Sequence, residues 1–283
     1  MPTAVVTGAY GSHGSIIRSR LDAAGWTTVA LVRTPRPGDR AVAWTLGEIP
    51  PDDLLRETDA LIHCAYDFRP RKRHDVWVVN VEGSSTLLQA ADRLGVRRVL
   101  VLSSMSAYVG TTQVYGQARL AIEGIALKFG GIAVRPGLVY GPKAAGMART
   151  LVKLTRLPVV PVLAGRARQF PVHEDDLAQA ILAILAAATW TTEAFGIAQP
   201  AALSFRDLLV ALAERDGGSC RFLPVPWRAV YWTLRLGEMT GALLPLRSDS
   251  VLGLVRPAPS VPRSKAFPSM IDTLRPLGQP KRP

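Results

Sequence analysis

Short apolar runs alternate with longer stretches of helical periodicity through the first half of the chain. Residues 3–7 predict a strand that runs straight into glycine, and 15–24 predict a helix closed by Gly25. Further strand-like runs lie at 27–33, 41–46, 59–65, 97–103 and 132–135, the one at 41–46 being the weakest. Between them, 75–94 reads as a long helix stopped by Gly95, and 115–129 as a helix stopped by Gly130 and Gly131. The strands are almost continuously apolar instead of alternating, so both of their faces are buried. That pattern predicts an α/β fold with a doubly wound parallel sheet.

After Pro142 the pattern loosens. Helices are expected at 147–156, 175–188 and 204–214, the last opened by Ser204 with Asp207 three residues on, and a proline-broken strand at 158–162. Residues 227–244 are apolar and as long as a membrane span, but Arg228, Arg235 and Glu238 interrupt them. A buried or groove-lining helix is therefore expected, with Trp227, Val230, Tyr231, Leu234 and Leu236 facing core or pocket. An interfacial role would need an exposed apolar face flanked by basic residues. From Pro257 onward prolines punctuate the chain, which predicts an extended, partly mobile tail.

The first strand and first helix are joined by Gly8-Ala9-Tyr10-Gly11-Ser12-His13-Gly14. Glycines spaced G-x-x-G-x-x-G between a strand and a helix give a tight turn, close main-chain approach and a helix N-terminus whose free N–H groups favour a diphosphate. The context predicts a Rossmann dinucleotide-binding domain over 1–165 and a small, discontinuous C-terminal substrate-binding part over 166–283 that returns residues to the sheet. The second strand ends in Arg33, with Arg36 close behind, where folds that choose NAD place an acid. A guanidinium there suits a 2′-phosphate, so NADP is favoured over NAD. The plain alternative is a surface arginine in an arginine-rich chain.

The chain has 283 residues, a net charge of +12 and two cysteines, which excludes a disulfide scaffold. Sparse cysteine and no leader-like start point to a reducing, cytoplasmic setting. The four histidines are scattered, so no metal site is expected, and Asp175 and Asp176 after His173 read as helix-start acids. No nucleic-acid motif accompanies the positive charge. Residues 228–283 hold nine Lys/Arg against three acids. A solvated face is the default reading, and membrane association through this basic region is the less favoured one.

Seven segments in order resemble one known family. They are the glycine loop, His63-Cys64-Ala65-Tyr66, Asn80-Val81-Glu82-Gly83-Ser84, Leu102-Ser103-Ser104-Met105-Ser106, Tyr115-Gly116-Gln117-Ala118-Arg119, the run from Arg135 to Pro142, and Val172-His173-Glu174-Asp175-Asp176-Leu177. The chain resembles the extended short-chain dehydrogenase/reductases of the NAD(P)-dependent epimerase/dehydratase group, from residue 3 to about residue 200. The resemblance implies an oxidoreductase that reduces a carbonyl or oxidises an alcohol, or an epimerase working through such a step. Ser104 would bind the substrate oxygen, with Ser103 as the alternative, and Tyr115 would give or take its proton. Asn80 would support the site, and His63, Ala65, Pro136 and Gly137 would lie along the cofactor. Tyr66, Phe68, Met105 and Tyr140 are pocket candidates by position. The helices 75–94 and 115–129 are the faces such proteins use to form homodimers.

The sequence departs from the family at Arg119, where a lysine is usual. Four residues on, Arg119 still shares the helix face of Tyr115, and a fixed positive charge there favours the phenolate. Arginine does not deprotonate, so it cannot relay a proton. Lys128 cannot substitute, since it falls about 220° around the helix. Two readings follow: a slower or specialised reaction through a Ser-Tyr-Arg site, or a redox-silent cofactor-binding regulator. Tyr115 stands only eleven positions after Ser104, which leaves little room for the longer loop that many sugar-nucleotide epimerases carry there.

Overall fold

A computed structural model describes residues 1–144, 146–163, 165–215, 217–219, 221–240 and 247–277. In chain order the first half runs β1 (Thr3–Thr7), α1 (Ser12–Ala23), β2 (Thr27–Val32), β3 (Ala41–Ala43), α2 (Asp52–Arg56) and β4 (Ala60–His63). Then come α3 (Arg73–Val76), a π-wound stretch Trp77–Glu82, α4 (Gly83–Arg93), β5 (Arg98–Leu102), α5 (Val114–Lys128), β6 (Ile132–Pro136) and β7 (Leu138–Tyr140). The rest is α6 (Met147–Thr155), β8 (Val160–Leu163), β9 (Arg168–Gln169), β10 (Pro171–His173), α7 (Glu174–Ala186), β11 (Ala194–Ile197), β12 (Leu203–Ser204), α8 (Phe205–Arg215), β13 (Phe222–Val225), α9 (Trp227–Met239) and α10 (Ser248–Val255).

Seven strands form one parallel sheet in the order β3–β2–β1–β4–β5–β6–β11. Side chains leave alternate faces of a strand, and the core divides accordingly. Ala4, Val6, Ala60, Ile62, Leu100 and Leu102 pack with Ile17 and Leu21 of α1 and Leu177 and Ile181 of α7. Val5, Leu61, Val99 and Val101 pack on the other side with Leu87 and Leu88 of α4 and Ile122 of α5. This is the doubly wound sheet the apolar runs predict. Its strand order reverses between β1 and β4, which opens a cleft at their carboxyl ends. A third cluster, around Phe205, Leu208 and Leu212 of α8, holds the C-terminal elements together.

Three expectations are corrected. The long helix 75–94 is interrupted by the π-wound stretch Trp77–Glu82, which carries Asn80. Over its described residues, 258–277, the tail is extended but tied down: Ile271 and Leu274 are buried in the core, Phe267 packs on Phe195, and Glu193 accepts from Ser264 Oγ and the Lys265 N–H. The third concerns α9, which contains no buried residue, so of the two placements expected for it only the groove-lining one is met, by Trp227 and Tyr231. Trp227, Val230, Tyr231 and Leu234 are half-buried, but Leu236 is 60% exposed. The reason is that α9 packs mainly on one neighbour, α10, which covers only one side of it. The expected continuation of this helix over 241–244, together with Cys220, Lys281 and Arg282, lies outside the described residues. Among the described residues no helix is long and apolar enough to cross a membrane.

Candidate functional site

The carboxyl end of β1 meets that of β4 through a buried polar chain. Thr7 Oγ1 accepts the main-chain N–H groups of Cys64 and Ala65, both at 3.1 Å. Its own proton is then donated to His63 Nδ1, 2.8 Å away, and His63 Nε2–H donates to Ser84 Oγ at 2.9 Å. Burial, reinforced by the Arg119 charge, pushes His63 down to about 3, so the imidazole is neutral and this tautomer is the one the network requires.

The glycine spacing has a steric cause at each position. Gly8 takes φ +62° and brings its Cα against the Ala65 backbone, where a Cβ would sit 2.9 Å from the Ala65 nitrogen. The Gly11 N–H donates to the Gly8 carbonyl at 2.8 Å, which closes the turn. A Cβ on Gly14 would run into that same carbonyl. Gly11 precedes the first turn of α1, which holds Ser12 and His13 and no acid. Free N–H groups and an uncompensated helix dipole therefore face the cleft, a cradle that fits a diphosphate. His13 is held neutral by burial and by Arg119, its pKa lowered to about 4.

Arg33 and Arg36 follow β2 on the surface beside this loop. The Arg36 guanidinium lies 4.1 Å from the centre of the Tyr10 ring, and its main-chain N–H donates to the Tyr10 hydroxyl at 3.0 Å. The nearby acid, Asp39, is already engaged. Arg18 binds both its oxygens, at 2.5 and 2.7 Å, and Tyr10 donates to it at 2.7 Å. These hydrogen bonds, Arg18's first, hold the Asp39 carboxyl well below the usual range.

Across the cleft, α5 carries Tyr115 and Arg119 on one face. Arg119 is buried at 5% exposure, donating from Nη1 to the Leu102 carbonyl at 2.8 Å and from Nε to the Tyr115 hydroxyl at 3.3 Å. Its guanidinium stacks 4.3 Å from the centre of Tyr66. Tyr66 meets Tyr115 edge-on at 5.1 Å, and Phe68, 63% exposed, stacks on Tyr115 at 5.7 Å. Burial pushes the Tyr66 phenol upward, and the Cys64 thiol up to about 12, so neither ionises at neutral pH. Asn80, fully buried in the π-wound stretch, accepts from the Asp67 N–H at 2.7 Å and donates to the Asp67 carbonyl at 3.0 Å. It thus pins the loop that carries Tyr66 and Phe68.

Other residues singled out from sequence fall in different surroundings. Ser103 donates to Glu123 at 2.5 Å, and Glu123 also binds Arg135, so this serine belongs to a buried ion-pair network. Ser104 Oγ accepts from the Ser106 N–H at 3.1 Å, and no hydrogen bond joins it to Tyr115. The Pro136 carbonyl accepts from the Met105 N–H, and the Gly137 N–H is taken by the Ile197 carbonyl. His173 caps α7 by accepting from the Asp175 N–H at 3.2 Å, and Arg275 donates to it at 2.9 Å while pairing with Asp176. Glu174, Asp175 and Asp176 occupy the first turn of α7, where helix-start acids complement the dipole, while the cap itself is His173.

One contributor escaped the sequence reading. Asp249 of α10 accepts the main-chain N–H groups of Val114 at 3.0 Å and Tyr115 at 3.3 Å, capping α5 from 134 residues away. No local signal connects the two segments, because the contact exists only after α10 folds over the start of α5.

Fold and cleft together define a Rossmann nucleotide-binding protein with a tyrosine on the facing helix. The model of the NAD dependent epimerase/dehydratase family matches residues 4–198, and the chain belongs to that family. Among curated proteins it is 29% identical over 188 residues to the "Ceramide reductase" of Caulobacter vibrioides, which covers 63% of this chain. The match spans 59% of that protein's length. Among solved structures it resembles gox2253, with a TM-score of 0.72 at 20% identity over 98% of this chain and 95% of that one. It also resembles MoeE5 in complex with UDP-glucuronic acid and NAD, with a TM-score of 0.68 at 22% identity over 95% and 96%. The UDP-glucose 4-epimerase of Thermus thermophilus with NAD gives 0.65 at 19% over 79% and 86%.

Proposed function

We propose that this chain is an NADP-dependent oxidoreductase that reduces a carbonyl group on an apolar small molecule, with Tyr115 as the proton donor. The observation that carries the reading is the Arg119 guanidinium, fixed by the Leu102 carbonyl and donating to the Tyr115 hydroxyl at 3.3 Å. A permanently charged donor on the phenol oxygen stabilises negative charge as the proton leaves. Arg119 therefore supplies the electrostatic part of the usual lysine's work and none of its proton relay.

The cofactor is held by the Gly8–Gly14 loop and the N-terminus of α1, with neutral His13, His63 behind it, Ala65, Pro136 and Gly137 along its course. A bound nicotinamide supplies the electron pair for the reduction. Arg33 and Arg36 take the 2′-phosphate, a role supported by the engagement of Asp39 with Arg18 and Tyr10. Tyr115 delivers its proton to the substrate oxygen, which Ser104 orients once its Oγ turns from the Ser106 N–H. Tyr66 and Phe68, stacked about Tyr115, favour an apolar substrate body. The relative named for ceramide reduction lends this reading support over epimerisation.

The test is NADPH oxidation by purified protein across a panel of long-chain ketones and aldehydes. Turnover is expected, lost in Tyr115→Phe. Reversing both Arg33 and Arg36 to glutamate should weaken NADPH binding on the order of a hundred-fold or more while sparing NADH, since each of the two lost charge-assisted bonds is worth ~1.5–3 kcal/mol. Tighter binding of NADH to the unaltered protein refutes the cofactor assignment. A second reading, a redox-silent NADP-binding regulator, is favoured by an arginine at 119, which cannot relay the proton that the family's lysine passes on. It predicts NADPH binding without consumption, and turnover gained in Arg119→Lys.

A further inference from the structure

α9 has two apolar faces and only one is covered. At ~100° per residue, Trp227, Val230, Tyr231 and Leu234 share the half-buried side that lies against α10. Trp232, Leu236 and Met239 gather on the opposite side at 61%, 60% and 74% exposure. Arg228 and Arg235 border this outer face along one edge, and Thr233 along the other. Beside it a groove of about 320 Å³ opens between α9 and α10, lined by Trp227, Tyr231, Trp232 and Leu252. Two guanidinium groups flank its aromatic floor, Arg228 at 5.6 Å and Arg256 at 5.9 Å from the Trp227 ring centre.

We infer that α9 is a membrane-surface helix that docks this chain on an anionic phospholipid bilayer. Trp232, Leu236 and Met239 enter the acyl boundary, and Arg228, Arg235 and Arg256 meet the headgroup phosphates. Charge complementarity selects this occupant. The chain carries +12 overall, and 228–283 hold nine basic residues against three acids. A tryptophan among aliphatic side chains with arginines at the border is the composition of an interfacial helix, since the indole tolerates the wet edge while the aliphatics leave water. Over its described residues α9 is too short and too charged to span. The docked helix is linked to the site through α10, whose Asp249 accepts the Tyr115 main-chain N–H.

The experiment is sedimentation of the full chain with vesicles of phosphatidylcholine alone or mixed with phosphatidylglycerol. Binding is expected to the mixed vesicles and to fall with added salt. Arg228→Gln and Arg235→Gln should each weaken it about five-fold. Trp232→Ser with Leu236→Ser should abolish it, while thermal unfolding, which an exposed face does not govern, stays that of the parent. Equal binding to both vesicle types, no sedimentation with either, or a serine variant that binds like the parent overturns the inference. So does a serine variant that converts a dimer to a monomer in the absence of lipid, since the face would then belong to a second copy of the chain.

Discussion

Acid should loosen this fold through His63 in a way that one substitution removes. His63 is fully buried, its two ring nitrogens taken by Thr7 and Ser84. A proton on Nδ1 would face a hydroxyl already committed as a donor, in a fully buried position and near the Arg119 charge. The folded value is accordingly about 3 against 6.5 for a free imidazole. The folded state thus binds the proton less readily than the unfolded chain. The contribution to stability is intact above pH ~6.5 and is lost as pH falls from there toward ~3. At pH ~4.5, two units into that window at ~1.4 kcal/mol each, the loss is about 3 kcal/mol. That is a large part of the ~5–15 kcal/mol typical of a domain. Urea denaturation midpoints measured from pH ~7.5 to ~4.5 for the parent and for His63→Gln read it directly. The variant starts lower but should decline less steeply, its free-energy slope flatter by about that amount. His13 and His173 shift in the same direction and cancel in the comparison. Parallel profiles would refute the assignment of a neutral, doubly hydrogen-bonded imidazole.

Gly14→Ala should cost ~1–3 kcal/mol by forcing the loop off the Gly8 carbonyl, and should weaken NADPH binding further than the stability loss explains, read by thermal shift with and without NADPH. Glu123→Gln should destabilise by ~3 kcal/mol or more, because Arg135 keeps its charge at a largely buried site without a carboxylate; chemical denaturation measures it. Asp249→Ala removes the acceptor for two N–H groups at the start of α5, and should lower the midpoint by the equivalent of ~1–2 kcal/mol.

Much of this molecule is written in local pattern. Continuous apolar runs such as Ala-Leu-Ile in β4 demand burial on both faces, the pattern of a parallel sheet between helices. The glycine loop is legible for the same kind of reason: a positive φ at Gly8 and close backbone approach at Gly14 are properties of the residues themselves. The four-residue step from Tyr115 to Arg119 fixes their shared face before any packing is known. What the chain order leaves open are the contacts between distant segments. Ser103 and Ser104 are neighbours of equal chemistry, and only the buried Glu123 marks the first as part of an ion-pair network. Nothing local ties Asp39 to Arg18 and Tyr10, which close on it only in the folded chain. The side of α9 left uncovered follows from which helix packs beside it. Periodicity says that a face is apolar, but its environment is set by tertiary neighbours, and among the described residues the main neighbour of α9 is α10, on one side.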